Sequence, residues 1–146
     1  MGPVELTFSA LPAHVRTARL IVTAVARRSG VAEALLDEVR LAVGEACSRA
    51  VEAHQRHCPD EPVRLELNGT GRRFEVTVSD TVPSEDAGRG MPAASEGLEY
   101  ALGNGTVDLG LAVISGLADD VEISSTPKGV QIRMSWPAEE GVPPQS

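Results

Sequence analysis

Three places in this sequence carry residues whose types and spacing could do chemistry. The first is Glu45 with Arg49, inside the stretch Asp37–His54. Four residues apart on a helix, the two stand one turn above each other on the same side. A carboxylate beside a guanidinium is either a surface ion pair or part of a site, and the stretch alone leaves both open. The second place is Asp80, closing the alternating run Phe74–Val78. The third is Gly110, opening an apolar run after a glycine-containing segment, with Asp108 just before it.

These positions need elements to hold them. Val4–Phe8 alternates apolar and polar residues and reads as a first strand. Pro12 opens a helix through about Arg28, with Val15, Ala18, Ile21, Val22 and Val25 on one face and Gly30 at its end. The central helix follows from about Glu33, with Leu36, Val39, Val43, Ala46, Ala50 and Ala53 as its apolar face. Residues 55–62 form a proline-bounded loop. Val63–Leu67 and Phe74–Val78 alternate on either side of the turn Asn68–Gly71, a hairpin pattern. A low-periodicity segment, about 81–108, reads as a lid, a binding loop or disorder. Leu109–Leu117 then reads as a helix with Asp108 as its N-cap. Val121–Ile123 and Val130–Met134 make a second hairpin around Thr126–Gly129, and the tail after Trp136 should fray. Grouped helices and strands imply an α/β two-layer sandwich, a mixed and mostly antiparallel sheet with helices on one face. The expected division is one domain over 1–137 and a flexible tail over 138–146.

Composition excludes several classes. The chain has 146 residues and a net charge of −8, and Lys128 is its one lysine, so it lacks the basic footprint that nucleic acid requires. Aromatics make up 3%, which leaves the core to Val, Leu, Ile and Ala. Cys47 and Cys58 do not form a disulfide framework, and no metal-ligand spacing occurs. His14, His54 and His57 read as surface or helix-end residues. There is no signal-like start and no apolar run of membrane-spanning length, so the expectation is a cytoplasmic protein that does not engage membrane.

Taken in order, Leu41-Ala-Val-Gly-Glu-Ala-Cys-Ser-Arg-Ala-Val51, Val78-Ser-Asp80 and Leu109–Ile123 resemble the GHKL ATPase fold of histidine kinases, and within it the RsbW/SpoIIAB-type anti-sigma factors. The resemblance runs from Leu11-Pro12 through Met134. It implies that Glu45 stands where the family has a glutamate that orients or deprotonates the attacking hydroxyl. Arg49 then stands where an asparagine helps hold Mg²⁺ between ATP phosphates. A guanidinium has donors only and cannot ligate a cation, so Arg49 is expected to pair with Glu45 instead. Asp80 matches the aspartate that binds the adenine amino group, but Thr81-Val82-Pro83-Ser84 lack the glycines that follow it in the family. Asp108 replaces the first glycine of the phosphate-binding Gly-x-Gly-Leu, leaving Gly110 with Gly103 and Gly105 as a vestigial phosphate loop.

The resemblance therefore implies a partner-switch regulator that binds an alternative sigma factor, a STAS-domain antagonist, or both, with its ATP site lost and no cofactor. A homodimer is a further implication. Arg16 and Arg19 on the first helix are the candidate partner contacts. Met91, Leu98 and Tyr100 in the lid are candidates for ordering against a partner. The alternative is an active serine/threonine kinase that uses ATP with Mg²⁺ and phosphorylates the antagonist. A third reading is a sensor that holds another small ligand in the vacated cleft.

Overall fold

The structure, a computed structural model, describes residues 3–82 and 114–139. Its elements are β1 (Val4–Phe8), α1 (Pro12–Arg28), α2 (Glu33–His57), β2 (Val63–Thr70), β3 (Arg73–Ser79), β4 (Asp120–Thr126) and β5 (Gly129–Pro137). The strands form one sheet in the order β1-β2-β3-β5-β4, and every neighbouring pair is antiparallel. The mostly antiparallel sheet foreseen from sequence is thus observed, and among the described residues every pairing is antiparallel. Strict alternation gives the sheet two unlike faces. Leu65, Leu67, Phe74, Val76, Val78, Ile132, Met134 and Trp136 point to the buried face. Arg64, Glu66, Thr77, Gln131, Arg133 and Glu122 point to the other, where Arg133 pairs across the strand with Glu122 at 2.9 Å.

Helix α2 lies against β2, β3 and β5, and α1 lies against α2, so the helices cover one face. Packing on two sides explains why α2 buries more than a single stripe. Leu36, Val39, Val43, Ala46 and Ala50 are buried as foreseen, and so are Ala42, Gly44, Cys47, Val51 and His54, while Ala53 is only half-buried. On α1 the buried set is Val15, Ala18, Val22, Thr23 and Ala26. Ile21, foreseen as core, is 38% exposed at the edge of this face. Pro12 sits in the first turn, where its missing N–H costs no hydrogen bond.

Helix α2 also runs through His57, so the loop starts at Cys58 rather than at Gln55. The β2–β3 turn lies later than foreseen. Thr70 pairs with Arg73, and Gly71 and Arg72 adopt φ of 57° and 65°. Two successive positive φ values match the turn whose twist suits a two-residue hairpin. Residues 114–117 are helical and end the helix foreseen over Leu109–Leu117; its start, with Asp108 and Gly110, lies outside the described residues. Trp136, fully buried, donates its indole N–H to Leu117 O at 3.2 Å and ties that helical end to the sheet. The chain stays hydrogen-bonded past β5: Ala138 N–H donates to Arg72 O at 2.8 Å and Glu139 N–H to Gly30 O at 2.9 Å.

Candidate functional site

Helices α1 and α2 enclose a groove of about 300 Å³ that brings Glu45 together with Arg16 and Arg19. Glu45 is exposed on the outer side of α2, Arg16 is exposed on α1, and Arg19 is half-buried between the helices. Leu41, 53% exposed, adds an apolar flank, and Glu52 a second carboxylate. The close approach depends on Gly44. A Cβ there would stand 2.7 Å from Arg19 Cδ, so the arginine stem lies across the bare backbone of α2. Arg19 Nε is buried with no hydrogen-bond partner among the described residues. The groove therefore presents both signs of charge around a small apolar floor, a surface chemistry that suits a protein segment.

The ion pair expected between Glu45 and Arg49 does not form among the described residues. Spacing of four permits it, but Arg49 is half-buried with interactions of its own, and Glu45 faces the α1 side. Arg49 does not line the groove. Its guanidinium puts donors, and no oxygen, one turn beyond Glu45 on α2. Cys47, buried beneath Arg19, has its thiol pushed up to about 12 by desolvation, against the smaller lowering effect of the Arg19 charge. Cys58 is half-buried, with Sγ 3.6 Å from Thr81 Oγ1. A thiol-reactive dye is therefore expected to modify Cys58 in the folded protein and Cys47 only after unfolding. Modification of both at similar rates in the native state would contradict this.

Asp80 does not line this groove; it follows the last residue of β3 and is 8% exposed. Its Oδ1 accepts the N–H of Val82 at 2.9 Å and that of Val130 at 3.1 Å, while its own N–H donates to Val130 O at 3.0 Å. One carboxylate oxygen is thus committed to holding the end of β3 against β5. Gly129 makes this possible. It has φ of 142°, and a Cβ there would collide with the Asp80 carbonyl oxygen. Gly103, Gly105, Asp108 and Gly110 lie outside the described residues, as do Met91, Leu98 and Tyr100.

Three contacts around these residues were not read from the sequence. The Gly44–Arg19 and Gly129–Asp80 approaches join distant positions and leave no local signal. His54 did leave one. It extends the buried series Val43, Cys47 and Ala50 by one more turn, which marks it as core and corrects the surface reading. It is fully buried, with Nδ1 2.8 Å from Glu61 O and Nε2 accepting the Thr81 N–H at 3.0 Å.

With this geometry in place, comparison with known proteins decides the family. Residues 8–136 match the histidine kinase-like ATPase domain. The chain belongs to that family. The serine-protein kinase RsbW of Bacillus subtilis is 28% identical over 138 residues, covering 90% of this chain and 83% of that protein. RsbW of Halalkalibacterium halodurans is 30% identical over 140 residues, covering 90% and 81%. The chain is accordingly an RsbW-type member of the family. The crystal structure of the RsbU and RsbW domains of Rv1364c from Mycobacterium tuberculosis shares the fold, with a TM-score of 0.67 at 15% identity over 97% of this chain. This chain spans 34% of that longer one. No helix among the described residues is long and apolar enough to cross a membrane, and no cluster of His, Cys, Asp and Glu among them could hold a metal ion.

Proposed function

We propose that this RsbW-type chain is an anti-sigma-factor-like regulator that works by binding proteins, with a nucleotide site that no longer takes Mg-ATP. Its partners in this reading are an alternative sigma factor, a STAS-domain antagonist, or both, in a cytoplasmic partner switch. The observation that carries the reading is Arg49. Magnesium between phosphates needs oxygen ligands, and the position one turn beyond Glu45 supplies only N–H donors. Asp80 adds support, because one of its oxygens already serves two backbone N–H groups. The groove supports the binding half of the proposal: Arg16, Arg19, Glu45 and Leu41 form an open, mixed-charge surface. An acidic partner segment laid across Arg16 and Arg19 would find two cations held by one helix.

One observation favours a second reading, an active ATP-dependent serine/threonine kinase of a STAS-domain antagonist. Glu45 is exposed and not tied to Arg49, so a carboxylate is available to orient a hydroxyl. Titration calorimetry with Mg-ATP separates the two. The proposal expects no saturable heat at micromolar nucleotide, and an antagonist or sigma factor bound about tenfold or more weakly once Arg19 is changed to Glu. Saturable binding of Mg-ATP with label transfer to a STAS protein would overturn the proposal in favour of the kinase.

A further inference from the structure

We infer that His54 is a proton-operated latch that joins the end of α2 to the chain leaving β3. The hydrogen bonds fix its state without ambiguity. A backbone N–H can only donate and a backbone carbonyl can only accept. Because Thr81 N–H points at Nε2 at 3.0 Å, that nitrogen must carry a lone pair. Because Glu61 O lies 2.8 Å from Nδ1, the other nitrogen must carry the proton. The ring is therefore the neutral Nδ1–H tautomer, and it clamps three segments at once: the last turn of α2, the loop of residues 58–62, and Thr81 immediately after Asp80.

A second proton has one place to go, Nε2, and there it would face the Thr81 N–H. Two donors cannot coexist there, and the ring itself has no solvent access. The charged ring must therefore release the amide, which the exposed Thr81 can turn to water. The Thr81 hydroxyl, 3.5 Å from Nε2, is an alternative acceptor for the charged ring. The switch thus has two defined arrangements: amide to imidazole, or imidazolium to hydroxyl with the amide set free. The release acts on the residue next to Asp80, whose own carboxylate keeps β3 joined to β5 in either arrangement.

Among the described residues, the charges around the ring give it no fixed counter-ion. On α2, Glu52, Arg56 and His57 are exposed, as are Asp60 and Glu61 in the loop, and Cys58 is half-buried against the Thr81 hydroxyl. Asp80 points its Oδ1 at Val82 and Val130, and Lys128 is exposed in the β4–β5 turn. Arg64, Glu66, Arg73, Glu75 and Arg133 lie on the opposite face of the sheet. Acidification therefore acts on the ring through the loss of an acceptor.

The test is amide hydrogen exchange and ¹⁵N NMR on the full chain between about pH 8 and pH 5. The imidazole nitrogen shifts should report the Nδ1–H tautomer at the upper end. Where those shifts report a protonated ring, exchange protection at Thr81, corrected for the intrinsic rate, should be about tenfold or more lower, while the Val130 amide stays protected. His54→Gln keeps an acceptor but cannot titrate, so its Thr81 protection should stay level over the same range. Constant Thr81 protection through the His54 titration would overturn the inference, as would a ring that stays neutral until the whole chain unfolds. The wild-type titration is decisive alone if the variant fails to fold. A pH response that persists in His54→Gln would equally overturn it.

Discussion

Replacing Gly129 with alanine is expected to cost about 3–5 kcal/mol of folding stability, the largest effect of adding one methyl group to any of the described glycines. Two costs combine. Gly129 has φ of 142°, a conformation that side chains rarely adopt. The added Cβ would also enter the shell of the Asp80 carbonyl oxygen and stand 2.9 Å from the Asp80 carbonyl carbon. Neither backbone can retreat, because Asp80 N–H donates to Val130 O and Asp80 Oδ1 accepts the Val130 N–H. Gly71→Ala is the matched control. It too has positive φ, 57°, but nothing among the described residues lies within 4 Å of its Cβ position, so it should lose only about 1 kcal/mol. Urea denaturation followed by fluorescence of the buried Trp136 measures both. A Gly129→Ala loss as small as that of Gly71→Ala would show that the close approach to Asp80 relaxes freely.

Much of the fold was legible because its two periods are clean. The alternation of Val63–Leu67, Phe74–Val78 and Val130–Met134 fixes which side chains face α2, and the three- and four-residue steps of α1 and α2 fix their inner faces. The β2–β3 turn was misplaced because Asn68-Gly69 is as good a local turn signal as Gly71-Arg72. Pairing decides between them. A turn centred at Gly69 and Thr70 would set Val63 opposite Val76 and leave Val78 against the proline-bounded loop. The observed register sets Leu65 opposite Val78 and lets β3 pair along its whole length.

The candidate site was legible only where one element carries it. Glu45 and Asp80 could be placed by their positions on a helix and at a strand end. What surrounds them depends on how elements cross, which no local period encodes. The α1–α2 crossing puts Arg19 on Gly44 and turns Glu45 toward the groove instead of toward Arg49. The same limit hid the partners of His54, Glu61 and Thr81, seven and twenty-seven residues away, although the helical period marks the ring itself as core.

Asp80 is where fold and proposed function meet, and its substitution separates them. Asp80→Ala is expected to lose about 2–4 kcal/mol, because it strands the N–H of Val130, a buried donor, and also frees that of Val82. Asp80→Asn keeps an oxygen at the Oδ1 position and should lose about 1 kcal/mol, the difference between a charged and a neutral acceptor. A carboxylate kept only for a ligand would show neither loss, since its removal would leave no backbone donor without a partner. The gradation from Ala to Asn, read by denaturation and by exchange at the Val130 amide, is therefore the signature of a residue that closes the sheet. It also explains how an aspartate can stand here when Thr81-Val82-Pro83-Ser84 follow it in place of glycines: the hydrogen bonds to β5 need the carboxylate and make no demand on the residues after it. An Asp80→Ala chain as stable as wild type would remove that explanation and return Asp80 to a ligand-binding role.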